Sequence, residues 1–375
     1  MATNVLVTGA AGFIGRNLCL ALGRRPETVV HTFDIEDDPG ALAGLVAQAD
    51  WVFHLAGVNR PEDPAEFREG NVDLTAHLLD LLEAGERRVP VVFTSSIQAD
   101  RDNPYGVSKR EAEEVLVRHA RQAGAPVFIY RLPNVFGKWS RPNYNTVVAT
   151  FCHNIARGLP VQLSDRANVI QFCYVDDVVR AFLARLDDAA SDGARTHYEL
   201  DETFSITLGD LHDLIVSFRE ARARAVVPDL ADDLTRYMYA TYLSFLETDD
   251  FAVAAEMKTD DRGWLFELVR SRGFGQIFIS QTKPGITRGD HYHETKVEKF
   301  CVIQGRGVIR FRRMGEEEII AYPVSDERIE IVDIPPGYTH SIENTGDRDV
   351  ITIFWASEIF RPEAPDTYWE KVRRE

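Results

Sequence analysis

The chain has 375 residues, 45% of them hydrophobic, with 42 Lys and Arg against 59 Asp and Glu and a formal net charge of −17. That length exceeds what one hydrophobic core commonly serves, so two domains are expected, and so acidic a balance lacks the basic face that a nucleic-acid partner needs. Cys19, Cys152, Cys173 and Cys301 stand apart without a CxxC pair, no charged leader precedes the first strand, and no stretch approaches the roughly 20 apolar residues of a membrane span, so a cytoplasmic protein with reduced thiols and no membrane partner is expected.

The first half alternates short β-branched runs (VLVT, VVHTF, WVFHLAG, VVFTSS, VFIYRLP) with helix-length segments such as GNVDLTAHLLDLLEAG. That rhythm belongs to βαβ units and predicts an α/β domain with a doubly wound parallel sheet. Gly9, Gly12 and Gly15 follow the strand VLVT and precede the helical FIGRNLCLAL. Glycines there let the chain turn tightly and bring backbone N–H groups and a helix N-terminus against a pyrophosphate. Asp34 ends the second strand, where a carboxylate accepts from adenosine ribose hydroxyls and repels a 2′-phosphate. That favours NADH, whereas Arg16, Arg24 and Arg25 favour NADPH, and both cofactors stay open.

Tyr105 and Lys109 lie four apart in NPYGVSKREAEEVL, on one face of a predicted helix. There the ammonium is expected to lower the phenol's pKa and make Tyr105 a proton donor to a carbonyl being reduced. Tyr292 and Lys296 repeat the spacing by coincidence, so the company of Tyr105 matters: TSSI at 94–97 ends the preceding strand with hydroxyls, and Ser96 can hold the carbonyl oxygen.

The GxxGxxG turn, HLAG at 54–57, Asn71, TSSI, YxxxK, RLPNVFG at 131–137 and YVDDV at 174–178 together resemble an extended short-chain dehydrogenase/reductase over residues 1–246. The resemblance implies a Rossmann-type fold, catalysis by Ser96, Tyr105 and Lys109, and a nucleotide-sugar substrate. It also implies cofactor contacts from Gly9, Gly12, Phe13, Ile14, Gly15, Asp34, Leu55, Ala56, Gly57 and Lys109, and substrate contacts from Asn134, Asn143 and Asn145. Two positions depart from the pattern: the gap from Ser96 to Tyr105 is short, which leaves Ser95 or Ser96 as the working hydroxyl, and Ile170 stands where an arginine is common.

PDLADDLTRYMYATYLSFLETDDF reads as a helix plus connection, which puts the boundary near residue 246 and a second domain over 247–375. From about Gly275 the rhythm changes to strands and turns (QIFISQT, KFCVIQG, GVIRF, IEIVDIPPG, HSIEN, DVITIFWAS), the pattern of an all-β sandwich or barrel. His291 and His293 alternate onto one side of a strand, Glu298 shares an inward face with Phe300 and Val302, and His340 shares one with Ile342 and Asn344. Three imidazoles and a carboxylate suit a borderline divalent ion, Zn²⁺ first, with Fe²⁺, Mn²⁺ or Ni²⁺ compatible. These residues resemble the cupin family over about 260–362: Gly285, His291, His293, Glu298 and Gly305 meet its first motif. Pro335, Gly337, His340 and Asn344 meet its second, with Ile329 in place of the leading glycine.

The domain order, with DNPYG, NVFGKW, KPGIT, GVIRFR and PPGYTHSIEN, resembles the bifunctional capsular-polysaccharide enzymes of the CapF type. That resemblance implies a homodimer acting on UDP-2-acetamido-2,6-dideoxy-β-L-arabino-hexos-4-ulose, by C3 epimerisation in the cupin and C4 reduction in the reductase domain. The product would be the L-talose sugar on the way to UDP-N-acetyl-L-fucosamine. Tyr292, Lys296, Lys299, Tyr322 and Tyr338 are candidates for moving protons in the barrel. Two other readings stand beside this one: a nucleotide-sensing module without chemistry, and an epimerase or dehydratase with resident NAD and a structural barrel.

Overall fold

The computed structural model describes residues 2–144, 146–187 and 195–374. The chain divides into two compact units, Met1–Ile215 with Tyr237–Leu246, and Val216–Arg236 with Glu247–Glu375. Residues 216–236 group with the second unit because Val226 bridges to Arg270 and backbone hydrogen bonds join Ala225 and Val227 to the same residue.

The first unit opens β1 (Thr3–Thr8), α1 (Phe13–Leu22), β2 (Thr28–Phe33), α2 (Ala41–Gln48) and β3 (Trp51–His54). A short α3 (Ala65–Phe67) passes through a π-helical stretch, Arg68–Asp73, into α4 (Leu74–Ala84). There follow β4 (Val91–Ser96), a 3₁₀ turn at Ile97–Asp100, α5 (Pro104–Ala123), β5 (Val127–Leu132), β6 (Asn134–Phe136) and α6 (Val147–Ala156). Next come β7 (Val169–Tyr174), α7 (Val175–Asp187), β8 (His197–Tyr198), β9 (Phe204–Thr207), α8 (Leu208–Ala223) and α9 (Asp233–Leu243). The main sheet is parallel in the order β2-β1-β3-β4-β5-β8.

Its strands are continuous apolar runs because both faces are covered. Leu6, Val52, Phe93 and Ile129 pack with α2, α4 and α5, whereas Val5, Val7, Phe53, Val92 and Tyr130 pack with α1 and α7. Strand order reverses between β1 and β3, so a crevice opens beyond Thr8 and His54, the position where such sheets bind ligands. α5 begins sharply: Asn103 accepts from the Gly106 N–H at 2.8 Å and Pro104 fills the first turn.

The second unit is antiparallel. Its strands are β10 (Lys258–Asp260), β11 (Gly263–Ser271), β12 (Gly275–Thr282), β13 (Thr287–Tyr292), β14 (Glu298–Gln304) and β15 (Arg306–Arg313). They continue with β16 (Ile319–Ser325), β17 (Ile331–Ile334), β18 (Tyr338–Asn344), β19 (Val350–Ala356) and β20 (Tyr368–Trp369). Two sheets, β10-β11-β12-β19-β14-β17 and β16-β15-β18-β13-β20, close over Phe300, Val302, Ile309, Phe311, Ile342 and Phe354. The strands start at Lys258, earlier than the expected Gly275. β11 escaped the reading because a bulge between Glu267 and Val269 breaks its alternation. Among the described residues no helix is long and apolar enough to cross a membrane.

Candidate functional site

The glycine turn after β1 admits no side chain at two of its positions. Gly9 has φ +69°, and a Cβ there would lie 2.6 Å from the Ala56 nitrogen; at Gly15 it would lie 2.1 Å from the Gly9 oxygen. At Gly57 a Cβ would fall 2.7 Å from Asn71 Oδ1 and 3.1 Å from Lys109 Nζ, so a side chain there would displace those two groups. Phe13 and Ile14 start α1, and Ile14 and Leu55 pack on the core beneath. A cleft of about 570 Å³ opens beside the turn, lined by Arg16, Thr32, Asp34 and Trp139 among others. Asp34 accepts from the Ala11 N–H at 2.7 Å, and the Arg16 guanidinium sits 5.3 Å over the Trp139 ring. Arg25 instead pairs with Asp187, so Arg16 is the one of the three candidate arginines that lines the cleft. A cradle that excludes Cβ atoms, a helix N-terminus and a carboxylate at the strand end fit a dinucleotide.

Beyond this crevice Ser96 ends β4 and Tyr105 stands in the first turn of α5, the serine near enough to act on the phenol. Ser95 and Ser96 are told apart by partners: Ser95 donates to the buried Glu113 carboxylate, while Ser96 faces Tyr105 and accepts from the Gln98 N–H at 3.2 Å. Lys109 is buried, donates to the Thr94 carbonyl at 3.1 Å and lies 4.9 Å from the Phe93 ring centre. Burial pulls its pKa down to about 8, against the Glu113 charge that raises it. Tyr105 does not show the expected depression: burial pushes the phenol up to about 12, with Ser96 acting weakly the other way. Desolvation of the anion outweighs the ammonium, which is turned toward Thr94.

Two supports stand behind these groups, one of them reached through residues that the sequence motifs already marked. Glu113, one turn after Lys109, accepts from Arg131 (2.9 Å to Nε, 2.6 Å to Nη2) and from Ser95, tying α5 to β4 and β5. The other is a buried chain: Thr8 Oγ1 to His54 Nδ1 (2.7 Å), His54 Nε2 to Thr75 Oγ1 (2.9 Å), Thr75 to the Asn71 carbonyl (2.6 Å) and Asn71 Nδ2 to Ser108 (3.0 Å). Burial lowers His54 to about 3, so it is neutral. Asn71, which the motifs had marked together with HLAG, lies on the π-helical stretch, whereas the helical period of EEVL hid Glu113.

Asn134 is exposed on β6, two residues beyond Leu132, the register partner of Ser96, and donates to the Gln171 carbonyl at 3.2 Å. Asn143 is exposed with φ +55°, its N–H donating to Thr150 at 3.0 Å, and Asn145 lies outside the described residues. Ile170 pairs with Ile206 on β9.

In the second unit His291 on β13 faces His340 on β18 across the ladder, after a bulge at Asp290 (φ +59°). β13 ends at Tyr292, so His293 reaches inward from the following turn and not from the strand, as the alternation had suggested. Glu298 opens β14, buried with Phe300 and Val302 as expected. The four donor atoms lie within 4.8 Å of one another, with Glu298 Oε2 at 3.2 Å from His293 Nε2 and 3.5 Å from His340 Nε2. Both Nε2 atoms are buried without a directed hydrogen bond. Burial, with His340 adding to it, lowers His291 to about 4. Burial alone would raise Glu298, but the His293 and His340 rings outweigh it and hold the carboxyl far below the usual range. Three imidazoles converging with a carboxylate fit a divalent cation.

Of the five barrel candidates for proton movement, Lys296 approaches the cluster: it is buried, 3.9 Å from Glu298 Oε1 and 2.9 Å from Thr367 Oγ1. Tyr292 stacks on Tyr368 at 5.2 Å, Tyr338 packs on the barrel core, Tyr322 is exposed, and Lys299 pairs with Asp333 at the surface.

Residues 5–200 match the profile of the NAD-dependent epimerase/dehydratase family, and residues 258–368 match that of the polysaccharide biosynthesis C-terminal domain. The chain is 44% identical to UDP-2-acetamido-2,6-beta-L-arabino-hexul-4-ose reductase of Pseudomonas aeruginosa over 97% of both chains. It superposes on the capsular polysaccharide assembling protein CapF of Staphylococcus aureus with a TM-score of 0.91 and 43% identity, over 99% of this chain and 100% of that one. UDP-glucuronic acid 4-epimerase of Bacillus cereus, solved in complex with NAD, covers 65% of this chain and 96% of its own at 20% identity and TM-score 0.54, a likeness of fold.

Proposed function

The chain belongs to the NAD-dependent epimerase/dehydratase family, and from that premise we propose that it epimerises C3 and then reduces C4 of one UDP-linked 4-keto sugar. The observation that carries this is the pairing, in one chain, of a Ser96–Tyr105–Lys109 group at the carboxyl edge of a parallel sheet with a buried His₃Glu cluster in a barrel. A ketone is what the two sites share. It acidifies the neighbouring C–H, and its carbon accepts hydride. Reduction destroys that acidity, so epimerisation comes first.

At the reductase site Tyr105, with a pKa near 12, holds its proton at neutral pH and donates it from Oη to the C4 oxygen. Ser96 Oγ presents a second hydrogen bond to that oxygen. Lys109, cationic below about pH 8, makes the phenol's loss of its proton less costly as the alkoxide forms. The nicotinamide, when bound, supplies the hydride. The glycine cradle and Asp34 orient it, and NADH and NADPH both remain compatible with Asp34 and Arg16 in one cleft.

In the barrel His291, His293, Glu298 and His340 would hold the ion, zinc first, and a divalent ion there supplies positive charge against a developing oxyanion. Lys296 is the side chain placed to carry a proton beside it. The sugar we assign is UDP-2-acetamido-2,6-dideoxy-β-L-arabino-hexos-4-ulose, reduced to the L-talose product toward UDP-N-acetyl-L-fucosamine, by a cytoplasmic homodimer. Support for the substrate comes from the Pseudomonas aeruginosa relative, a reductase of that sugar at 44% identity, and for the capsular setting from the likeness to CapF. The test incubates the protein with that sugar and each reduced nicotinamide in D2O. Stoichiometric nicotinamide oxidation with deuterium at C3 is expected; no net oxidation would mean a resident-cofactor epimerase instead.

A further inference from the structure

The C-terminal segment 366–372 touches the neighbours of every residue in the His₃Glu cluster. β20 pairs with β13 at His291 and Tyr292, and the Glu370 and Val372 N–H groups donate to Asp290 in the bulge before His291, at 2.8 Å to its carbonyl and 3.0 Å to its Oδ1. The Thr339 hydroxyl, beside His340, bonds the Glu370 carbonyl. The segment is anchored from within: the buried Arg312 donates to the Val372 and Lys371 carbonyls at 2.9 and 2.7 Å and to Glu370 at 2.7 Å.

Asp366 makes the closest connection. Its carbonyl accepts from His293 Nδ1 at 2.5 Å. A ring that donates from Nδ1 leaves a lone pair on Nε2, the atom that faces Glu298 and His340. Its carboxylate gathers the turn between His293 and Glu298: Oδ1 accepts from the Glu294 N–H at 2.9 Å, and Oδ2 from the N–H groups of Thr295 (2.8 Å) and Lys296 (2.7 Å) and the Thr295 hydroxyl (2.9 Å). Successive N–H groups converging on one anion form a nest, which fixes the turn's backbone. The carboxylate itself stands outside the donor cluster.

We propose that Asp366 is a positioning residue for the metal site, setting through its carbonyl and its carboxylate the tautomer of His293 and the turn that carries His293 and Glu298. The inference rests on the metal reading above. Four donors on a preformed frame bind an ion without first ordering the turn, and that saving appears as affinity. Loss of such an outer partner typically weakens metal binding about 10–100-fold.

The experiment measures Zn²⁺ affinity of the full chain by competition with a chromophoric chelator, for the wild type and for His291→Ala, Asp366→Ala, Asp366→Asn and Asp326→Ala. Asp366→Ala keeps the backbone carbonyl on His293 and removes the carboxylate from the turn, so it should bind about tenfold more weakly, the low end for loss of an outer partner, and Asp366→Asn, which keeps an acceptor oxygen, should fall between. Asp326 accepts from the Gly305 N–H at 3.0 Å and pairs with Arg348 elsewhere in the barrel, so its loss should lower the melting temperature and leave affinity unchanged. Wild-type affinity in Asp366→Ala overturns the inference alone. A wild type that binds Zn²⁺ no better than His291→Ala overturns the metal reading and the inference together. Should Asp366→Ala fail to fold, amide exchange in the metal-free wild type decides: protection at 294–296 supports the preformed turn, and rapid exchange there overturns it.

Discussion

Ser96, Tyr105 and Lys109 come from one stretch of chain, a strand end and the helix start that follows it, while His291, His293, Glu298 and His340 are gathered from two strands of one sheet, a strand of the other and a turn. The first group is therefore set by local geometry: once β4 and α5 form, the hydroxyls meet. The second depends on register, because a one-residue slip of β18 against β13 would turn His340 out of the barrel. Each has its own brace, Glu113 under the helix and Asp366 on the turn. If the two groups are separate sites on one pathway, losing one should leave the other working.

The strongest test of that independence is Tyr105→Phe against His291→Ala. Removing a general acid typically costs 10²–10⁴ in rate, so Tyr105→Phe should lower C4 reduction about 10³-fold. C3 deuterium uptake should persist at the wild-type rate. His291→Ala should abolish uptake and leave reduction of the already epimerised sugar intact. Both activities falling together in either variant would break the comparison at its base.

The same contrast explains what could be read from residues alone. The reductase triplet and the glycine turn sit in short contiguous motifs, and the parallel sheet announces itself through buried runs such as VLVT and VVFTSS. The His291, His293, Glu298 and His340 cluster was legible because the spacing HxH, then Glu298, then His340 is rigid. The choice between Ser95 and Ser96 was not legible, since it turns on Glu113, a residue whose place on α5 looks like any helical acid. Asp366 likewise carries no local signal; its role comes from a tail folding back over 70 residues to the turn at Lys296. β11 was hidden by a bulge, and the depression expected for Tyr105 was wrong because burial, which a sequence does not display, dominates its pKa.

Glu113→Gln probes the first brace. Removing one partner of a buried ion pair can cost 3–5 kcal/mol, but Arg131 is about a third exposed, so about 2 kcal/mol is expected. The melting temperature should fall, and reduction should fall with it as α5 loosens against β4. Metal affinity of the barrel should not move, and a change there would mean the units are coupled.

Lys109→Met sharpens the energetic side. A lysine whose folded pKa is about 8 and whose ordinary value is 10.5 binds fewer protons folded than unfolded between those limits, so its burial is most costly below pH 8 and the cost fades as pH rises to about 10.5. The full shift corresponds to about 3 kcal/mol, offset in part by the lost bond to Thr94. A gain of about 1–2 kcal/mol for the variant at pH 7, shrinking toward pH 10, is expected in denaturant titrations, alongside loss of reduction. In the wild type, kcat/KM for reduction should decline above about pH 8 as the ammonium loses its proton. Deuterium uptake should show no matching limb.

The smallest effect is expected at Asp34, where the two units differ in kind: three of the four barrel donors are buried and His291 is half-buried, whereas this carboxylate lines an open cleft where solvent screens it. Asp34→Asn keeps an oxygen to accept from the Ala11 N–H, so the turn should survive. It removes one negative charge from the place where an adenosine 2′-phosphate would lie, beside Arg16. In near-aqueous surroundings that repulsion is about 1 kcal/mol, so the NADPH to NADH ratio of kcat/KM should rise about five- to tenfold. An unchanged ratio would mean that the carboxylate is occupied by the Ala11 N–H and does not face the ribose. Choice of nicotinamide would then fall to Arg16, whose replacement should depress NADPH use alone.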